Sequence, residues 1–475
     1  MAPLSKLRLG KDLGVLRWIF EFGRHAVFRL LDGIARAALA MLGSGASPRP
    51  PGKEPRAGGP IAFVLPVLPD LSHTFVYREV EAILALAPDA LVVVLEHGTT
   101  RVVHPEAARL LPRARYVPAR GVVARACGLF VRFATSPRRV RALAALYRDG
   151  PGGAAAALLG KLPLREARHP GRAFELAALL APLRPAQIHV YGSTWSANVA
   201  LGAAVLLDVP LSISSYVDFE FDYAHKLLAT KFEHARFFRV CTRDCRRRLA
   251  RMLAREDLAT NDIRVPILHW GIDAARLRAR SPAPPPRLAR ENLRLISACR
   301  VVRKKGLHLV PPLLAALVRD GIDARWTLAG DGPELARVKS LAHEHGVEAR
   351  CTFAGPLPND ALLAAIESND IALLPCVETD DGERDGIPVF LIEAMALGRC
   401  VVSTCVSGIP ELIEDGANGW LASAEPGALA ARIGSILADP VAARAIAEHG
   451  RDSALATEDS AASAAALLTR LRAAP

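Results

Sequence analysis

No stretch of this sequence reaches the roughly 18 unbroken apolar residues that a membrane-spanning helix needs. Nothing near its start reads as a cleavable leader, so a cytoplasmic setting is expected. Aromatic residues make up only 5% of the chain. The interleaving of aromatic and basic residues typical of nucleic-acid modules is missing, as is any zinc-finger spacing, which argues against a nucleic-acid partner. Cysteines number eight: Cys127, Cys241, Cys245, Cys299, Cys351, Cys376, Cys400 and Cys405. Several sit in apolar runs, where buried free thiols are the default, and a disulfide framework is not expected in a reducing cytosol. Cys241 and Cys245 have the spacing of half a metal site, but no His or Cys pair follows to complete it. Asp380-Asp381 reads as an acidic loop, so no metal and no cofactor are expected. No internal repeat at periods of about 20–50 residues is found.

What is present is a globular composition, 51% hydrophobic and 23% charged over 475 residues, long enough for two cores. The net charge of +12 is spread over many arginines. It suits an anionic membrane surface, a phosphate-bearing substrate, or a generally basic protein with no polyanionic partner. Near the start, Leu13, Leu16, Phe20, Val27, Leu31, Ile34, Ala38 and Met41 share one helical face, accompanied by Lys6, Lys11, Arg17, Arg24, Arg29 and Arg36. Such a basic amphipathic helix either lies in a membrane interface or packs on the protein's own surface. It is expected to span residues 1–43, with a Gly-, Ser- and Pro-rich linker over 44–60.

Beyond that linker, apolar strands alternate with helical stretches, the pattern of a parallel sheet. The first block, 61–280, has strands expected at Ile61–Pro66, Ala90–Glu96, Ala186–Tyr191, Leu211–Ser215 and Phe238–Thr242. Its helical middle, 105–185, has no legible packing. The Pro cluster from Ser281 to Pro286 opens a second linker, 281–292. A second block, 293–455, has strands expected at Leu293–Cys299, Ala324–Ala329, Arg350–Ala354, Ile371–Pro375, Cys400–Thr404 and Gly419–Leu421. Its helices are expected at Gly306–Arg319, Pro333–His345, Asn359–Glu367 and Pro388–Leu397. A helix over 456–475 closes the chain. The fold class is α/β, with two Rossmann-like doubly wound domains facing a cleft, where ligands bind beyond the carboxyl ends of the strands.

The chemistry concentrates in loops of the second block. After the strand ending at Cys299 come Arg300 and Lys305, two cations able to converge on one anion, the arginine as a planar fork and the lysine as a point charge. Gly330-Asp331-Gly332 follows the next strand, where glycine lets a backbone approach a ligand. Asp385-Gly386-Ile387-Pro388 then opens a helix carrying Glu393 one turn inside it. The N-terminus of that helix suits a pyrophosphate. The two acids have separate tasks there, one near a sugar and the other at the neighbouring hydroxyls of a ribose. A fourth strand–helix turn holds Gly408 and Glu411.

These loops closely resemble the donor-binding half of glycosyltransferase family four, the large group of retaining enzymes of GT-B fold. The resemblance covers residues 293–425 and rests on Arg300 and Lys305, the Ala-Gly-Asp-Gly run at Gly330 and Gly332, Asp385 through Glu393, and Ser-Gly408-Ile-Pro-Glu411. It implies that Arg300 and Lys305 bind the donor diphosphate, that Glu393 binds the ribose and that Asp385 contacts the transferred sugar. The family's usual first acid is Glu; Asp-Gly-Ile-Pro occurs in its exopolysaccharide branch. The first block is similar to that branch at Ser72-His73-Thr74-Phe-Val-Tyr-Arg78-Glu79 and at Ile188-His189-Val-Tyr191-Gly192. Tyr216-Val-Asp218 stands where the family often carries His-Ala-x-Asp. Ser72, Thr74, His189, Tyr216 and Asp218 are thereby candidate contacts for acceptor or donor sugar.

The implied activity is transfer of a sugar from a UDP- or GDP-linked donor to a glycan or lipid-linked acceptor, with retention. The setting is cell-surface glycan synthesis, in the cytoplasm or peripherally on the inner membrane. The alternatives are a non-catalytic, membrane-associated subunit that binds nucleotide sugar, and a nucleotide-sugar epimerase on the same fold.

Overall fold

The computed structural model describes residues 58–70, 73–98, 105–118, 146, 169–216, 220–221, 227–280 and 284–473. The expected N-terminal amphipathic helix, residues 44–57 of its linker, Cys127, Ser72 and Asp218 lie outside the described residues.

Two six-stranded parallel sheets organise the molecule. The first orders its strands β3-β2-β1-β4-β5-β6, with β1 at Ile61–Leu68, β2 at Leu91–His97, β3 at Ala114–Tyr116, β4 at Gln187–Tyr191, β5 at Leu211–Ser214 and β6 at Ala235–Arg239. The second orders its strands β12-β11-β10-β7-β8-β9, with β7 at Leu293–Ala298, β8 at Ala324–Ala329, β9 at Cys351–Gly355, β10 at Ile371–Leu374, β11 at Cys400–Thr404 and β12 at Trp420–Ala422. Read from its own first strand, the second sheet repeats the order of the first, reversing direction between β7 and β10 as the first does between β1 and β4. At such a switch point the loops of the two neighbouring strands diverge and leave room for a ligand.

Every residue of β4, β5, β6, β10 and β11 is buried, as sheets covered by helices on both faces require. Phe63, Val93, Ile188 and Ile213 anchor one core; Leu295, Trp326, Leu373 and Val402 anchor the other.

Several expected elements move. β6 begins at Ala235 and not Phe238, because Leu211 already pairs with Ala235 ahead of a register shift, and it ends at Arg239, beyond which Val240 bridges to Ile267. β3 was not expected; three residues carry no alternation to read. The helix expected from Gly306 starts as two short turns, Arg303–Lys305 and Leu307–Leu309, and becomes regular at Val310–Arg319.

The final helix, Ser460–Arg472, returns to the first half. Ala464, Leu467, Leu468 and Leu471 join the core of the first sheet, and Gln187 donates to the carbonyl of Leu471 at 2.6 Å. The two passages of chain between the halves are joined to each other. Ile272 pairs with Asp459, Ile272 N–H donates to the Glu458 carbonyl at 2.8 Å and Ser460 N–H to the Ile272 carbonyl at 2.9 Å.

Candidate functional site

The turn after β7 and the loop after β10 leave the second sheet on either side of its switch point. Their backbones are joined where Val377 N–H donates to the Lys304 carbonyl at 2.9 Å. This brings the Lys305 ammonium into an ion pair with Asp385 Oδ2, while Lys304 Nζ lies 3.4 Å from Oδ1 of the same carboxylate. Burial opposes ionisation of Asp385, but Lys305 and then Lys304 outweigh it and hold the carboxyl below its ordinary range. Burial likewise opposes the charge on Lys305, and Asp385 reverses the balance, raising the ammonium. The Cys299 thiol lies among these groups. Burial pushes it up to about 12, with Lys305, Asp385 and Arg300 as its charged neighbours. Arg300 itself is exposed. The structure thus brings together Arg300, Lys305 and Asp385, with Lys304 as a member that the sequence pattern did not single out.

Gly386 and Ile387 lead into the helix Val389–Ala396, with Pro388 at its N-cap. A helix start carries unpaired N–H groups and a partial positive charge, which favour an anion. Glu393 lies on this helix, 5% exposed. Its Oε1 is 3.2 Å from the guanidinium of Arg78, which comes from the first half, on the helix Thr74–Leu86. Through Arg78 that helix reaches the second half. His73, its N-cap, feels the charge of Arg300. Burial, only partly offset by Asp70, keeps the His73 imidazole below its ordinary range. Thr74, its first residue, is half-buried.

Four expected positions have other partners. Both carboxylate oxygens of Glu411 accept main-chain N–H groups of the first half, from Arg243 at 2.8 Å and Asp244 at 3.1 Å, so this acid caps the helix Arg243–Met252. Gly408 serves the same contact: a Cβ there would stand 2.3 Å from Thr242 Cγ2. A Cβ on Gly330 would stand 1.9 Å from the Cys299 carbonyl oxygen, and one on Gly332 2.4 Å from that of Val301. These two glycines let the protein's own turns pack, and thereby shape the backbone around Arg300. The strand–glycine–helix pattern reveals the edge at which a loop lies; it does not reveal which group occupies it.

His189 is not brought to the cleft. It is wholly buried in β4, its ring nitrogens 2.8 Å from Ser212 Oγ and 2.9 Å from Ser214 Oγ. Burial, then the charge of Arg239, depresses it well below its ordinary range. Tyr216 packs among His73, Phe75 and Trp270 at ring-centroid distances of 5.1, 5.6 and 5.8 Å. The sequence assigns Arg78 no role. Its signal was a charged residue in the helical turn after Thr74, between the buried Val76 and Val80.

No helix among the described residues is long and apolar enough to cross a membrane, and no cluster of three or more potential metal ligands is found among them. The family model of glycosyl transferases group 1 matches residues 284–453. A putative colanic acid biosynthesis glycosyltransferase, WcaL of Salmonella typhimurium, is 37% identical over 171 residues, 36% of this chain and 41% of that protein. The amylovoran biosynthesis glycosyltransferase AmsK of Erwinia amylovora is 38% identical over 130 residues, 27% of this chain and 32% of that one. These matches thus span less than half the length of either relative. Across the fold, the Anabaena Alr3699/HepE structure in complex with UDP and glucose superposes with a TM-score of 0.61 over 86% of this chain and 98% of that chain, at 16% identity. Two sheets of matching order, joined by a doubled crossing, make this a GT-B fold, and residues 284–453 are a domain of the glycosyl transferases group 1 family.

Proposed function

We propose that this protein transfers a sugar from a nucleotide-diphosphate donor to a hydroxyl of a glycan or lipid-linked acceptor, with retention at the anomeric carbon. The observation that carries the reading is the cation cluster at the switch point, with an exposed Arg300 and, in the same turn, Lys305 paired to a buried Asp385. A buried cation held by a single carboxylate is set to share its charge with an arriving anion. The likeness to the colanic acid and amylovoran enzymes supports an exopolysaccharide or related cell-surface glycan as the product. The UDP in the Anabaena structure supports a nucleoside-diphosphate donor, uridine- or guanosine-linked. A net charge of +12 suits a reaction at the cytoplasmic face of an anionic membrane. We place the donor in the domain of residues 293–455 and the acceptor against that of 61–280.

In this mechanism the diphosphate lies between Arg300, Lys305 and the start of the helix Val389–Ala396, with Gly386, Ile387 and Pro388 shaping the approach. The bond between the anomeric carbon and the phosphate oxygen breaks, and the electron pair leaves with the diphosphate. Positioned cations stabilise that charge most as it develops. The acceptor oxygen bonds to the anomeric carbon from the same face, and its proton passes to the departing phosphate oxygen. Asp385 orients the sugar, and Glu393 accepts from the ribose hydroxyls. Closure of the halves excludes water that would otherwise hydrolyse the donor.

Transfer by purified protein tests this. Lys305→Ala should lower the rate roughly a hundred- to a thousandfold, with the fold preserved by circular dichroism. Full activity in that variant would remove the assignment. Conversion of the donor with no acceptor present would favour an epimerase instead.

A further inference from the structure

The guanidinium of Arg78 divides itself between two carboxylates, one in each half of the molecule. Its Nε lies 3.2 Å from Glu106 Oε1, and a terminal nitrogen lies 3.2 Å from Glu393 Oε1. All three side chains are almost fully buried, at 10%, 4% and 7% exposure. Glu106 and Arg78 belong to the first half and Glu393 to the second. The helix bearing Arg78 is fixed in the first core by Val76, Tyr77, Val80 and Ile83. Arg78 therefore moves with the first half, and its contact with Glu393 exists only while the halves are closed.

A carboxylate has about four acceptor positions. Arg78 approaches one oxygen of Glu393, and Asn359 Nδ2 stands 3.5 Å from that same oxygen. Held by Glu106 through Nε, the rigid guanidinium presents its terminal N–H to Glu393 Oε1 from a fixed direction, which the flexible ammonium of a lysine does not. A carboxylate so oriented can accept from two vicinal hydroxyls at once.

We propose that Arg78 is a positioning residue for the donor's ribose, fixing Glu393 from the opposite half so that the ribose hydroxyls are read in the closed molecule. This rests on the donor-site reading above. It makes ribose recognition and closure one linked equilibrium, because a contact formed in the closed state alone couples the two reciprocally.

The test is calorimetric binding of UDP, 2′-deoxy-UDP, GDP and 2′-deoxy-GDP to the full chain and to its Arg78→Gln and Arg78→Lys variants. The wild type should prefer the ribonucleotide by roughly tenfold or more, the worth of a charge-assisted hydrogen bond. In Arg78→Gln that ratio should fall severalfold. Arg78→Lys keeps the charge and loses the fork, so its ratio should be intermediate; it carries the comparison if the glutamine variant fails to fold. A bridge that only stabilises the fold would weaken both sugars alike, and a wild-type ratio in the variants overturns the proposal. A wild-type ratio near one overturns it as well. Failure of the wild type to bind either ribonucleotide overturns the donor-site reading and this inference together.

Discussion

The two sheets share a strand order, yet the charge clusters they bury stand at different places, one inside the core and one at the sheet edge. In the first half, polar groups neutralise one another inside the core. Glu79 accepts from the Tyr191 hydroxyl at 2.8 Å and from Arg239 at 2.7 Å, and Arg239 also stacks 4.1 Å over the Trp270 ring. Lys231, wholly buried, donates to the Ser193 carbonyl at 2.6 Å, and burial depresses its ammonium to about 7. In the second half Asp370 is likewise satisfied from within, by Arg294, but Lys305, Lys304 and Asp385 pair in loops at the carboxyl edge, next to an exposed Arg300. One scaffold, used twice, thus gives a structural core in one copy and a candidate binding edge in the other. Function resides in the loops grafted on the fold, not in the fold itself.

The comparison can be broken in three places. The largest effect is expected at Arg239. Arg239→Met leaves Glu79 buried without its cation, and removing one partner of a buried pair costs about 3–5 kcal/mol. Chemical denaturation should show that loss, while nucleotide binding persists in the protein that remains folded. If binding fell and stability did not, the division of labour between the halves would be wrong.

A smaller effect is expected where the halves touch. Gly408→Ala places a methyl against Thr242, and overpacking of this kind costs about 1–3 kcal/mol. Thr242→Ser removes the offending methyl and keeps the hydroxyl that caps the helix Arg243–Met252. The double variant should regain most of the lost melting temperature. No recovery would show that the contact is not the one described.

The smallest effect concerns pH. His269 Nδ1 lies 2.9 Å from Glu458, beside the doubled crossing. Burial opposes its charge, but the Glu458 carboxylate outweighs it and raises the imidazole above its ordinary value. A group raised in the folded state contributes stability that is complete below its unfolded pKa and is lost as pH rises through the folded one. The melting temperature of His269→Gln should therefore fall furthest below wild type in mildly acidic buffer, with the gap closing above neutrality. A gap that widened with pH would contradict the assignment.

How much of this was legible in the sequence depended on the kind of information involved. Strands and helices with a clean period were readable to the residue, as at Cys400–Thr404 and Asn359–Glu367. That the cation pair and the two acids stand at one sheet edge was readable because the loops carrying them follow strands, and parallel strand ends face one edge. Contacts between the halves were not. Nothing in the period of Ser460–Arg472 says that it returns to the first core, and nothing around Glu411 says that its carboxylate caps a helix nearly 170 residues earlier. His189 misled for a related reason: a histidine at a strand end reads as a ligand until the neighbouring strand supplies Ser212 and Ser214 to both ring nitrogens.

The most direct test of the central claim is a crystal structure with a uridine or guanosine diphosphate sugar bound. The diphosphate should lie within hydrogen-bonding distance of both Arg300 and Lys305, with the ribose hydroxyls on Glu393 and Arg78 behind that carboxylate. A donor bound away from this edge, or a diphosphate touching neither cation, would contradict the claim.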